Sequence, residues 1–166
     1  MDPFYDCSSM IKSENVIEIL LPINQVMELF KNEDFFQYWQ KGLVSSKPLS
    51  VDAGKVGSTR DMKIKVSGAV ITMKEEITAV DLPHLWEATY RTNGVLNLQS
   101  NRFRESETFI KNKVVKSTLW NATSIFKFTG MMRVIAKTRP QLFTNQTYQH
   151  MKDFKIFAES KIPVNQ

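Results

Sequence analysis

Cysteine is nearly absent: Cys7 stands alone in 166 residues, so no intramolecular disulfide forms and a thiolate zinc cluster is excluded. Its place near the N-terminus makes it a poor nucleophile candidate. Histidine is as scarce, with His84 and His150 only, so a metal site would have to be mostly carboxylate. No metal and no cofactor are expected. GxSxG, HExxH, CxxC, phosphate-loop and EF-hand spacings are all missing. Long apolar runs are missing too: the first, "VIEILLP", contains Glu18 and is far too short for a membrane span or a secretory signal. A soluble, cytoplasmic protein is expected.

Charge is present but unevenly placed. Residues 1 to 126 hold 15 basic and 15 acidic groups, whereas 127 to 166 hold 7 basic and 2 acidic, so the whole net charge of +5 sits in the C-terminal part. A solvated helix face accounts for this as it stands. The cations are too dispersed for nucleic acid, and none is expected as a partner, but a membrane- or protein-interacting adaptor acting through the basic C-terminal helix, with weak contact to an anionic membrane surface, stays open. The oligomeric state has no signature.

Hydrophobic periodicity orders the elements. "VIEILL" (16 to 21) reads as a strand stopped by Pro22; "INQVMELFKN" follows as a short helix with Asn24 available as its cap. "EDFFQYWQKG" reads as a second short helix carrying four rings, with Phe36 and Trp39 inward and Phe35 and Tyr38 nearer the rim. The period then becomes two. "STRDMKIKV" places Arg60, Met62, Ile64 and Val66 on one face, and "AVITMKEEITAV" does the same with Ala69, Ile71, Met73, Glu75, Ile77 and Ala79. "HLWEATYRT" aligns Trp86, Ala88 and Tyr90, and Asn93-Gly94 signals a hairpin. Two long strands, 95 to 110 and 113 to 128, meet near Lys111-Asn112. Beyond Gly130 the helical period returns: a short turn, then a long helix from about Arg139 to Lys161, with Thr138 and Gln141 at capping-box spacing. Its stripe is Phe143, Thr147, Met151, Phe154 and Ala158, flanked by His150 and Phe157.

A sheet with one apolar face needs a cover, and the last helix is the long element left to supply it. The expected fold is therefore α+β: a curved antiparallel sheet wrapped around a long C-terminal helix, in one domain over 14 to 162 after an extension of 1 to 13. With "VIEILLPINQVMELFKNEDFFQYW", "SVDAGKVGSTRDMKI" with Gly54 and Gly57 before a strand, and the closing helix, the chain resembles the START-like helix-grip superfamily over residues 14 to 160. That superfamily includes birch-pollen-allergen-like proteins, polyketide cyclases and ubiquinone-binding proteins. The resemblance implies a cavity between sheet and helix for a hydrophobic or amphipathic small molecule, such as a lipid, quinone or polyketide-like compound. It equally allows a cyclase or dehydratase.

The candidate lining comprises Trp39, Arg60, Met62, Ile64, Met73, Glu75, Trp86, Tyr90, Phe143, Thr147, His150, Met151 and Phe154. Arg60 and Glu75 interrupt apolar faces, so each needs a partner: one another, or a polar ligand head. Tyr90 reads first as a core tyrosine with its hydroxyl at the rim, and second as a ligand anchor. His150 reads first as a flank residue reaching solvent, and second as an acid-base group in the cavity. The polar positions Asn97, Gln99, Ser100, Asn101 and Arg102 read first as an outer face, and second as a polar part of the pocket. Catalytic residues are not assigned, and a non-enzymatic binding module is the leading expectation.

Overall fold

The computed structural model describes residues 10–161; Cys7 and most of the expected N-terminal extension lie outside the described residues. Strands β1 (Met10–Ile19), β2 (Leu43–Pro48), β3 (Thr59–Val66), β4 (Ala69–Asp81), β5 (Leu85–Thr92), β6 (Val95–Ile110) and β7 (Lys113–Phe128) form one antiparallel sheet, ordered β1-β7-β6-β5-β4-β3-β2. Helices α1 (Ile23–Phe30) and α2 (Phe36–Trp39) follow β1, with a 3-10 turn at Glu33–Phe35 between them. Helices α3 (Met131–Thr138) and α4 (Gln141–Lys161) follow β7.

Turn chemistry fixes the meander. Gly94 has φ +74° and lets β5 and β6 pair from Thr92 and Val95 outward; Lys111 and Asn112 take φ 49° and 63° and join Ile110 to Lys113. Gly94 does a second job. A Cβ there would lie 2.8 Å from Met132 Cγ, so its bareness lets α3 sit on the hairpin turn.

Several boundaries depart from the periodic reading. β1 starts at Met10, ahead of the apolar run, because Ser13, Asn15 and their neighbours are held by ladder bonds to β7 rather than by apolar content. The expected domain boundary at 14 thus falls inside a strand. β2, "LVSSKP", carries no alternating signal and forms as an edge strand against β3, with a register shift between Leu43 and Ser45. Another shift between Ile77 and Ala79 hands the inward position from Ala79 to Val80, which pairs with Trp86. Asn24 does not cap α1; Pro22 occupies that position with no side-chain bond, and the cap observed is Asn32, which accepts from the Asp34 amide at 3.0 Å. Nor does Thr138 look forward to α4. Its hydroxyl donates back to the carbonyls of Val134 and Ile135, closing α3, an eight-residue helix where the sequence suggests a short turn.

Helix α4 lies chiefly along β1, with α2 against its flank and β7 beside it. Two apolar clusters cover the two ends of the grip. One joins Ile19, Val26, Trp39, Phe103, Trp120, Met151 and Phe154; the other joins Phe126, Phe128, Ala136 and Phe143, with Met132 and Ile135 of α3 packed on it.

Candidate functional site

Strand register brings polar residues into rows across the concave face. Arg60 of β3 lies opposite Glu75 of β4, Glu75 opposite Tyr90 of β5, Tyr90 opposite Asn97 of β6, and Asn97 opposite Phe126 of β7. Arg60 and Glu75 are therefore a pair: Arg60 Nε stands 3.7 Å from Glu75 Oε1, beyond hydrogen-bond length, and its Nη2 is bonded to Glu33 from the turn before α2. The Arg60 guanidinium also caps the Phe36 ring at 5.1 Å. Tyr90 is partly buried and stands beside the Glu75 carboxylate across the β4–β5 ladder. Burial raises the Glu75 pKa above its ordinary value against the opposing pull of Arg60. The same burial, with the carboxylate beside it, raises Tyr90 well above its own.

A second band divides the polar residues of β6 between the two faces. Asn97, Gln99 and Asn101 point inward, while Ser100 and Arg102 point outward and engage Glu87. Leu96 and Leu98 mislead the phase: they are the apolar residues of that stretch, yet they alternate onto the convex side. Asn101 accepts from Trp120 Nε1 at 3.0 Å and from Gln99 Nε2 at 3.3 Å, which locks a buried indole. Further along, the Ser124 and Thr147 hydroxyls meet at 3.0 Å, and Ser13 donates to the Thr144 carbonyl at 3.3 Å, tying α4 to β7 and β1. Four buried polar atoms have no hydrogen-bond partner among the described residues: Trp39 Nε1, Ser46 Oγ, Asn97 Oδ1 and Arg60 Nε, the last of which has the Glu75 carboxylate nearby.

Helix α4 faces this surface with Phe143, Thr147, His150, Met151 and Phe154. His150 is partly buried, with its ring 4.8 Å from that of Trp39. Burial lowers its pKa from 6.5 to about 4, against the upward pull of Asp153, so the imidazole is neutral at physiological pH. No hydrogen bond ties it to the described residues. Asp153 is itself buried, paired with Lys41 at 2.8 Å and Gln149 at 3.0 Å, which pins the end of α2 to α4.

Aromatic rings fill the α1–α2 end. Phe30 touches Trp39, Trp86, Phe103, Trp120 and Phe154 at centroid distances of 5.2 to 6.4 Å. Phe36 packs edge-on against Trp39, while Phe35 and Tyr38 turn to Phe157. Of the expected lining, Met62, Ile64 and Met73 sit on the β3–β4 portion of the face, and Arg60, Glu75, Tyr90 and Trp86 lie beside them. Trp39, Trp120 and Phe103 form the packed end. A depression of about 230 Å³ opens outside the grip, between Met10, Ile11, Phe128 and the α3 residues Arg133, Ala136 and Lys137. Among the described residues no cluster of His, Cys, Asp or Glu could hold a metal, and no helix is long and apolar enough to cross a membrane.

No family model and no curated protein sequence matches the chain. Solved structures do. TTHA0849 from Thermus thermophilus superposes with a TM-score of 0.68 at 11 % identity, covering 92 % of this chain and 99 % of the other. Norcoclaurine synthase from Thalictrum flavum, in complex with dopamine and hydroxybenzaldehyde, gives 0.65 at 12 % identity over 95 % and 89 %. Ara h 8.0201 gives 0.60 at 10 % identity over 91 % and 99 %. The meander of seven strands, the two short helices after β1 and the long last helix against the concave face thus make this chain a bearer of the START-like helix-grip fold.

Proposed function

We propose that the protein binds a hydrophobic or amphipathic small molecule, of lipid, quinone or polyketide-like character, between the concave face and α4. The observation that carries this reading is the incomplete hydrogen bonding of a face that mixes apolar and polar side chains. Asn97 Oδ1 and Trp39 Nε1 are buried without partners, where a finished core would have paired them. The first can accept from, and the second donate to, a ligand with complementary groups. Arg60 and Glu75 offset each other, which favours a neutral head over a carboxylate or phosphate. The solved norcoclaurine synthase that holds dopamine and hydroxybenzaldehyde adds support at the level of the fold.

A second reading, a cyclase- or dehydratase-like enzyme, is favoured by one feature: Tyr90 and Glu75, opposite each other on β5 and β4 with their pKa values raised by burial, can supply or take a proton. One experiment addresses both. Trp39, Trp86 and Trp120 all stand at the inner face, so titration with sterols, quinones, fatty acids and aromatic polyketides should change intrinsic fluorescence, and mass spectrometry of the purified protein should reveal a retained compound. Flat titrations and no retained compound would dispose of the binding reading. Chemical conversion of a bound compound that stops in Glu75→Gln and Tyr90→Phe, with binding kept, would establish the enzyme.

A further inference from the structure

The basic C-terminal part contains cations of two kinds. On α4 they are engaged: Lys152 lies 4.9 Å above the Tyr148 ring, Lys155 binds Glu159 and the Glu18 carbonyl at 2.6 Å, and Lys161 lies over Phe35 and Tyr38. On α3, Arg133 donates to the Phe128 carbonyl at 3.1 Å, whereas the two cations at the α3–α4 corner are of the other kind. Lys137 and Arg139 are exposed and form no ion pair among the described residues, and from Lys127 to Lys152 the sequence has five basic residues and no acidic one.

The same corner carries bare apolar side chains. Helix α3 is apolar on two sides: Met132, Ile135 and Ala136 pack on Phe128 and its neighbours, whereas Met131 and Val134, one turn apart, are 80 % and 61 % exposed. Leu142 in the first turn of α4 is 57 % exposed. Apolar residues scattered singly are ordinary, but three on one helical corner, beside unpaired cations and free of carboxylates, are not a solvated face. A protein partner for such a corner would need matching carboxylates and a shaped groove. A bilayer with anionic headgroups supplies the charge and the apolar cover without shape, since the short helix lies in the plane with apolar residues down and cations at the phosphates.

We propose that the α3–α4 corner, through Met131, Val134 and Leu142 with Lys137 and Arg139, docks the protein on an anionic lipid surface. This places the membrane contact on the α3 side, not along the whole of α4. It requires no ligand in the grip, so it stands or falls separately from the binding reading.

The test is co-sedimentation of the full chain with large vesicles of phosphatidylcholine containing about 30 % phosphatidylserine, against phosphatidylcholine alone. Binding is expected to the anionic vesicles only, and to fall at least tenfold when salt rises from about 0.1 M to about 0.5 M. Val134→Asp and the double variant Lys137→Glu with Arg139→Glu should each lose about tenfold or more, with unchanged circular dichroism, while Lys137→Arg with Arg139→Lys keeps binding. All of these positions are exposed, so the fold survives them. Equal binding to neutral vesicles, no binding, or undiminished binding by the variants overturns the proposal. So does a concentration-dependent dimer that the same variants abolish while vesicles are ignored, since the corner would then be covered by a second copy.

Discussion

Arg60 is the residue on which the polar row depends. It is buried, and it faces Glu33, Glu75 and the Phe36 ring at once. Arg60→Ala leaves the Glu75 carboxylate buried with only Tyr90 beside it, and should cost about 3–5 kcal/mol in urea unfolding. Tyr90→Phe removes the phenol hydroxyl beside that carboxylate and should cost about 1 kcal/mol. The two titrating groups of the site act in opposite directions. Glu75 has its folded pKa raised, so its contribution to stability is complete below its ordinary 4.5 and is lost as pH rises through the raised value. His150 has its folded pKa lowered from 6.5 to about 4, so its contribution is present above 6.5 and is lost as pH falls toward 4. Between about pH 7 and about pH 5 His150 should remove about 2 kcal/mol. Urea midpoints of His150→Gln at the two pH values should lack that loss; an identical slope in variant and parent would refute the assignment.

At the scale of elements, alternation made most strands legible in the sequence, because β3, β4, β5 and the long β6–β7 pair each bury one face. What alternation could not supply was phase where both faces carry apolar residues. On β6 the inward set is Asn97, Gln99 and Asn101, and the leucines are on the convex side, so the polar side of the site was hidden by the residues that usually reveal a core. β2 was invisible for a different reason: an edge strand needs ladder partners, not an apolar side. His150 stands beside the helical stripe that the sequence shows, yet which flank of that stripe meets Trp39 is set by the placement of α2. That placement depends on Gly42, which turns the chain from α2 into β2 at φ +86°. A Cβ there would meet the Lys65 carbonyl oxygen at 2.7 Å, a backbone atom that cannot step aside. Gly42→Ala should therefore lower stability by about 1–3 kcal/mol and loosen the Lys41–Asp153 tie, seen as faster amide exchange in α2 and the adjoining turn of α4.

For the whole molecule, the connections are local along the meander and distant only where the sheet closes. β2 through β7 pair with their sequence neighbours, whereas β1 pairs with β7, Met10 against Lys127 through Ile19 against Thr118. Pulse-labelled exchange during refolding should protect the β6–β7 amides before those of β1; simultaneous protection would argue against this order. β1 also carries much of the contact with α4, so one strand holds both the rim of the sheet and the helix inside it. On the ribosome the consequence is one of timing. β1 leaves the exit tunnel roughly a hundred residues before β7 and longer still before α4, and translation proceeds at about 5–20 residues per second. For several seconds its isoleucines have no native cover, and a synthesis halted within β7 would leave an open strand edge for a chaperone to shield or for another chain to join.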